Sequence, residues 1–102
     1  MYLIVTSTYP GDKVKEVSNM YVKAMTKYPT DANLGNPVVP VAIRATLQGI
    51  EVMSISEVKK GKLDDAMTLA ANRLTMFHDI QGYRYKINTY LNLEEAMKAI
   101  GM

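Results

Sequence analysis

Two β-rich runs, residues 41–47 and 50–58, meet at Gln48-Gly49 in the middle of the chain. Both alternate in the way half-buried strands do. Glycine supplies the positive φ that a tight hairpin needs. With Gln48 and Gly49 as the loop, Leu47 faces Ile50, Ala45 faces Val52 and Ile43 faces Ser54. One face of the hairpin is then Val41, Ile43, Ala45, Leu47, Ile50, Val52 and Val58, which is a core face. The other carries Ala42, Arg44, Thr46, Glu51, Met53, Ile55 and Glu57 and is mixed.

Each flank of this hairpin holds one strand and one helix. Residues 2–9 read as a strand stopped by Pro10-Gly11. Asp12 is the expected N-cap of a helix whose stripe is Val14, Val17, Tyr21, Ala24, Met25 and Tyr28, ended by Pro29. Residues 29–40 hold three prolines, a glycine and two asparagines and read as a long loop. Residues 62–78 form a second helix on Leu63, Ala66, Met67, Ala70, Leu74 and Phe77. Asp64 and Asp65 stand in its first turn, where the helix dipole favours negative charge. Residues 82–91 alternate as a fourth strand. Asn92 with Glu95 three residues on is a capping box opening a short last helix.

The order β-α-β-β-α-β-α is two β-α-β halves joined by a hairpin. It predicts an α+β, ferredoxin-like sandwich over residues 1–102 as one domain. Right-handed crossovers give an antiparallel sheet of order 4-1-3-2 with both long helices on one face. The opposite face stays open. It carries Met53 and Ile55 beside charged residues, together with either Tyr2 and Ile4 or Leu3 and Val5 of the first strand. A half-apolar open face is an association surface or a cavity lining.

Composition removes several function classes. Hydrophobic residues are 48% and charged ones 22%, which fits a packed domain rather than a disordered chain. No cysteine and a single histidine exclude a disulfide scaffold, a thiolate metal site and a zinc site built by this chain alone. Twelve basic residues against ten acidic ones give a net charge of +2, and the one basic cluster, Lys59-Lys60-Gly61-Lys62, reads as a solvated loop. No nucleic-acid partner is expected. The run IEVMSISEV lacks the stacking aromatics of an RNA-recognition sheet. There is no phosphate loop and no dinucleotide fingerprint, so no cofactor is expected. The apolar start, Met1 to Val5, has no basic flank and is cut short by Pro10-Gly11. It reads as a strand rather than a signal peptide, which makes the cytoplasm the default expectation. No run approaches the ~20 apolar residues of a membrane span.

The stretches GNPVVPVAIRATLQGIEVMSISEVKKGKL (residues 35–63) and FHDIQGYRYKINTYL (residues 77–91), with the element order and the mixed open face, resemble the dimeric α+β barrel group of ferredoxin-like proteins. That resemblance implies a homodimer in which two sheets face each other across a two-fold axis. Members include monooxygenases, isomerases, dehalogenating and decarboxylating enzymes, and proteins with no known reaction. No catalytic motif comes with the resemblance, and fold does not choose among these activities.

The layout gathers Tyr9, Asp12, His78 and Tyr83 at one edge of the sheet. Amides near Gly11 and Asp12 could hold an anionic group there. His78 is the only histidine and sits where a helix ends. Flanked by phenols such as Tyr9, it could transfer protons; the plainer reading is a cap on helix carbonyls beside Asp79. Arg44 lies diagonal to Glu51 on the open face and either binds a ligand carboxylate or forms a cross-strand or interface ion pair. Strand four offers Arg84, Lys86, Asn88 and Tyr90 on one phase, and Tyr83 and Tyr85 on the other. Three functions fit. One is a homodimer that joins through Met53 and Ile55 and binds a small molecule, with Arg44, Tyr83 and Gly11 as ligand contacts. Another is a cofactor-independent enzyme using His78 and Tyr9. The third is a pure dimerisation module.

Overall fold

The computed structural model describes residues 1–102. Its strands are β1 (Tyr2–Tyr9), β2 (Gly35–Thr46), β3 (Gly49–Val58) and β4 (Arg84–Tyr90). Its helices are α1 (Val14–Lys27), α2 (Leu63–Thr75) and α3 (Leu93–Ala99). The strands form one antiparallel sheet of order β2-β3-β1-β4. The chain therefore has the ferredoxin-like α+β fold, and the sheet order is the one expected from its sequence. No helix is long and apolar enough to cross a membrane.

Strand register settles the open phase of β1. Leu3 packs with Val58 and Ala66, and Tyr9 packs with Val17 and Ala24, so the odd residues of β1 face the helices. Directly paired residues share a face. Ile4 pairs with Ile55 and Asn88, Thr6 with Met53 and Lys86, and Thr8 with Glu51 and Arg84. The open face thus carries Tyr2, Ile4, Met53, Ile55 and the Arg84–Lys86–Asn88–Tyr90 phase of β4.

Four local expectations are corrected. Residues 35–40 are not loop: β2 begins at Gly35, and the pairing with β3 shifts register between Pro37 and Val39 and again between Val39 and Ala42. Proline has no N–H for a ladder, but an edge strand with bulges leaves room for it. The hairpin loop is Leu47-Gln48, because Thr46 pairs with Gly49. The Thr46 hydroxyl accepts from the Gln48 amide at 3.2 Å and donates to the Gly49 carbonyl at 2.9 Å, which pins the tighter turn. Leu47 is then fully exposed at the tip, Ile43 pairs with Val52, and Arg44 stands directly opposite Glu51. The slip is two residues, so each side chain keeps its face. Asp12 is not a cap: it lies inside a 3-10 turn, Gly11–Lys13, that Pro10 opens before α1. α2 closes at Thr75, and the amides of Phe77 and His78 bond back three residues to Leu74 and Thr75, tightening the chain. The Asn92–Glu95 capping box forms in both directions, at 2.8 and 3.0 Å.

The interior is divided. One cluster joins Tyr9, Val17, Ala24, Phe77 and Ile80, and a second joins Leu3, Val58 and Ala66. Only 10 of 102 residues are buried, so the layer between sheet and helices is thinly filled.

Gly49 is tied to this arrangement by its backbone. Its φ is +138°, and a Cβ there would collide with the Tyr9 carbonyl. Gly49→Ala is expected to cost about 1–3 kcal/mol, read as a lower urea midpoint. An unchanged midpoint would show that the β3 entry relaxes away from β1 without strain.

Candidate functional site

Three places carry chemistry: an aromatic edge, the open sheet face, and a cavity between sheet and helices.

At the edge, β1 ends in Tyr9, and α2 runs through its final turns into β4. Pro10 packs where a Gly82 side chain would stand, and Gly82 has φ +84°. This close approach brings the end of β1 against the turn before β4. Tyr9 and Tyr83 stack with ring centroids 6.2 Å apart, and Phe77 stacks on Tyr83 at 4.7 Å. Tyr85 lies 6.4 Å beyond Tyr83 and stacks on His78 at 5.8 Å, with its hydroxyl 3.0 Å from His78 Nε2. The structure thus brings Tyr9 and Tyr83 together and joins His78 to them through Tyr85. His78 itself is exposed, as is Gly11.

Burial raises the Tyr9 phenol above its ordinary value. Burial also raises Tyr83, with Ser7 acting in the opposite sense through a hydrogen bond and the neighbouring phenols adding to the rise. At neutral pH both rings are therefore hydrogen-bond donors rather than bases.

On the open face, Arg44 Nε donates to Glu51 Oε1 at 2.9 Å, and the Arg44 side chain is 70% exposed. Its guanidinium is held by a cross-strand pair in water, which makes a small contribution. Met53 is exposed and Ile55 half-buried. They lie beside Ile4 and Tyr2 in the middle of the sheet.

The cavity has a volume of about 510 Å³ and 20 of its 32 lining residues are hydrophobic. Its floor is the helix-facing side of β1 and β3: Leu3, Val5, Ser7, Val52, Ser54 and Ser56. Tyr21 and Met25 of α1, and Ala66, Ala70 and Arg73 of α2, form its walls. Val39, Val41 and Ile43 bring β2 to its rim. Tyr9 and Tyr83 close the end next to the aromatic edge, so one lining joins both core clusters. Neither His78 nor Arg44 is part of that lining.

Arg73 is the residue that sequence reasoning passed over. It follows Ala70 by three positions and so falls on the apolar stripe of α2. A cation inside a stripe was the available signal. Its Nε donates to the Tyr28 carbonyl at 2.7 Å, while Nη2 is buried without a hydrogen-bond partner. Burial lowers its pKa from the usual guanidinium value, and the Tyr21 phenol acts in the opposite sense. It remains a cation across the working pH range. No group of three or more His, Asp or Glu residues gathers closely enough to hold a metal ion.

No protein-family model matches the chain, and no curated protein matches it. Among solved structures it is similar to a formyltetrahydrofolate deformylase from Pseudomonas putida KT2440, with a TM-score of 0.56 at 6% identity. The match covers 88% of this chain and 29% of that one. At that identity the likeness speaks for the ferredoxin-like fold alone.

The raised phenols have a stability consequence. An acid whose folded pKa lies above its unfolded value of 10.0 stabilises the fold fully below that pH and loses the contribution as pH rises through the folded value. Stability should therefore fall above about pH 10, and a Tyr9→Phe, Tyr83→Phe double variant should fall less steeply in urea titrations at pH 9 to 11. Equal slopes would mean that neither ring is desolvated.

Proposed function

We propose that this protein binds a small, largely apolar molecule in the cavity between its sheet and its two long helices. The observation that carries this is the cavity itself. Its volume lies inside the range of roughly 300–1,000 Å³ usual for ligand sites. Its walls are mostly apolar, with the hydroxyls of Ser7, Ser54 and Ser56 set into the floor to orient a ligand. The ligand then lies on the helix side of the sheet, with Tyr83 and Tyr9 at one end. Arg44 and Gly11 fall outside this reading, because Arg44 is engaged with Glu51 and Gly11 is not on the lining.

Binding without catalysis is favoured over an enzyme. His78, the candidate acid/base, is off the lining and hydrogen-bonded to Tyr85. Of the two candidate catalytic residues, Tyr9 alone reaches the cavity, and it stays protonated at neutral pH. The open face, with Met53 and Ile55 flanked by Ile4 and Tyr2, supports a homodimer formed sheet to sheet on the side away from the ligand.

Nile red, a neutral dye, tests the cavity. Wild-type protein should bind it at one site per chain with enhanced fluorescence, and Ala70→Trp should weaken that at least about tenfold while the circular dichroism stays unchanged. Undiminished binding by a folded Ala70→Trp protein would sink the cavity reading. For the assembly, sedimentation velocity should show a dimer that Met53→Asp or Ile55→Asp converts to monomer. A dimer that survives both changes joins elsewhere.

A further inference from the structure

We infer that the cavity selects amphiphilic monocarboxylic acids, with the ligand's carboxylate held by the guanidinium of Arg73 and its apolar body lying along the sheet. The inference rests on the cavity being the binding site and adds the chemistry of the ligand's head.

Arg73 is held in an unusual setting for a cation. Arg73 is half-buried, and arginines drawn into an interior are normally paired with carboxylates or satisfied through most of their donors. Here the Nε proton goes to the Tyr28 carbonyl, and Nη2 is buried with no acceptor. The four ion pairs of the fold use Met1, Lys13, Arg44 and Lys98 as cations, and none uses Arg73. The charge of Arg73 is thus left unbalanced within the chain, and an anion in the cavity that Arg73 lines would balance it.

The surroundings define what the acceptor is. Arg73 is the single Lys or Arg on the cavity lining, so one negative charge can be matched. Asp31 is an exposed acidic residue of the lining and disfavours a second carboxylate on the ligand through like-charge repulsion, whereas Glu57 pairs with Tyr2 and so turns to the open face. Tyr21 and Thr30 line the same cavity and offer hydroxyls suited to the head's remaining lone pairs. The rest of the path, over Val5, Val52, Leu69 and Leu74, is apolar. A guanidinium is more weakly hydrated than an ammonium, which suits it to an anion inside an apolar cavity. The Nε bond to Tyr28 fixes the side chain beforehand, so little rotamer freedom is lost on binding.

Calorimetric titration with decanoate, methyl decanoate and decanol tests this. Wild-type protein should bind decanoate at least about tenfold more tightly than its ester or alcohol. Arg73→Met should bring decanoate down to the level of decanol. Arg73→Lys should keep part of the preference. Equal affinity of the wild type for acid and ester would overturn the role of Arg73 while leaving the cavity site standing, and that comparison needs no variant. A folded Arg73→Met protein that keeps its preference would overturn it as well. If none of the three compounds binds, the cavity reading and this inference fall together.

Discussion

The eight-residue antiparallel pairing of β1 with β3 is the constraint on which the other features depend. It places Leu3, Ser7 and Tyr9 under the helices and Ile4, Thr6 and Thr8 on the far side in one stroke. It also lines up the residues that matter chemically. Ser7 falls beside Val52 on the cavity floor, and Tyr9 beside Ile50 at the aromatic end. The same strand pairs on its other edge with β4, which carries Tyr85 to the side of Ser7. A slip of one residue would turn the cavity floor out to water and the open face in.

The helices rest on this sheet at two places, and the space between those contacts is the cavity. Large side chains anchor the aromatic end, where Tyr9, Phe77, Tyr83 and Ile80 meet. At the other end, Leu3, Val58 and Ala66 make a smaller cluster. Between them the facing side chains are short: Ser54 and Ser56 below, Ala70 above. A floor of serines opposite alanines cannot fill a sheet-to-helix gap of ordinary width, so the interior stays open there. The aromatic row is therefore structural first. It holds the two layers at a fixed separation, and the volume of the cavity follows from that separation.

Much of the fold was legible in the chain, because periodicity reports which face a residue occupies. The element order, the sheet order and the two faces of the central hairpin follow from it. Finer features were hidden for separate reasons. The hairpin partners depended on one hydroxyl, Thr46, which pins the turn one residue earlier than Gly49 suggested. Residues 35–40 looked like loop because Pro37 and Pro40 break the ladder, yet β2 is an edge strand with bulges at those positions. Of the site, the meeting of Tyr9 and Tyr83 could be read from topology. The cavity could not, since alternation says which side chains point inward and nothing of how far away the opposing layer stands. Arg73 escaped because a cation beside an apolar stripe ordinarily carries its charged head out to water, and only the fold shows its Nη2 closed off.

The prolines of β2 also bear on how copies of this chain meet. An edge strand offers a row of free amides and carbonyls to any other extended chain, and sheets grow into fibres by that route. Pro37 and Pro40 have no amide to offer, and the register shifts beside them interrupt the regular row. The β2 margin is thus a poor template for an added strand over half its length. An extended chain arriving there finds few regularly spaced partners, so edge-to-edge growth is disfavoured along that stretch.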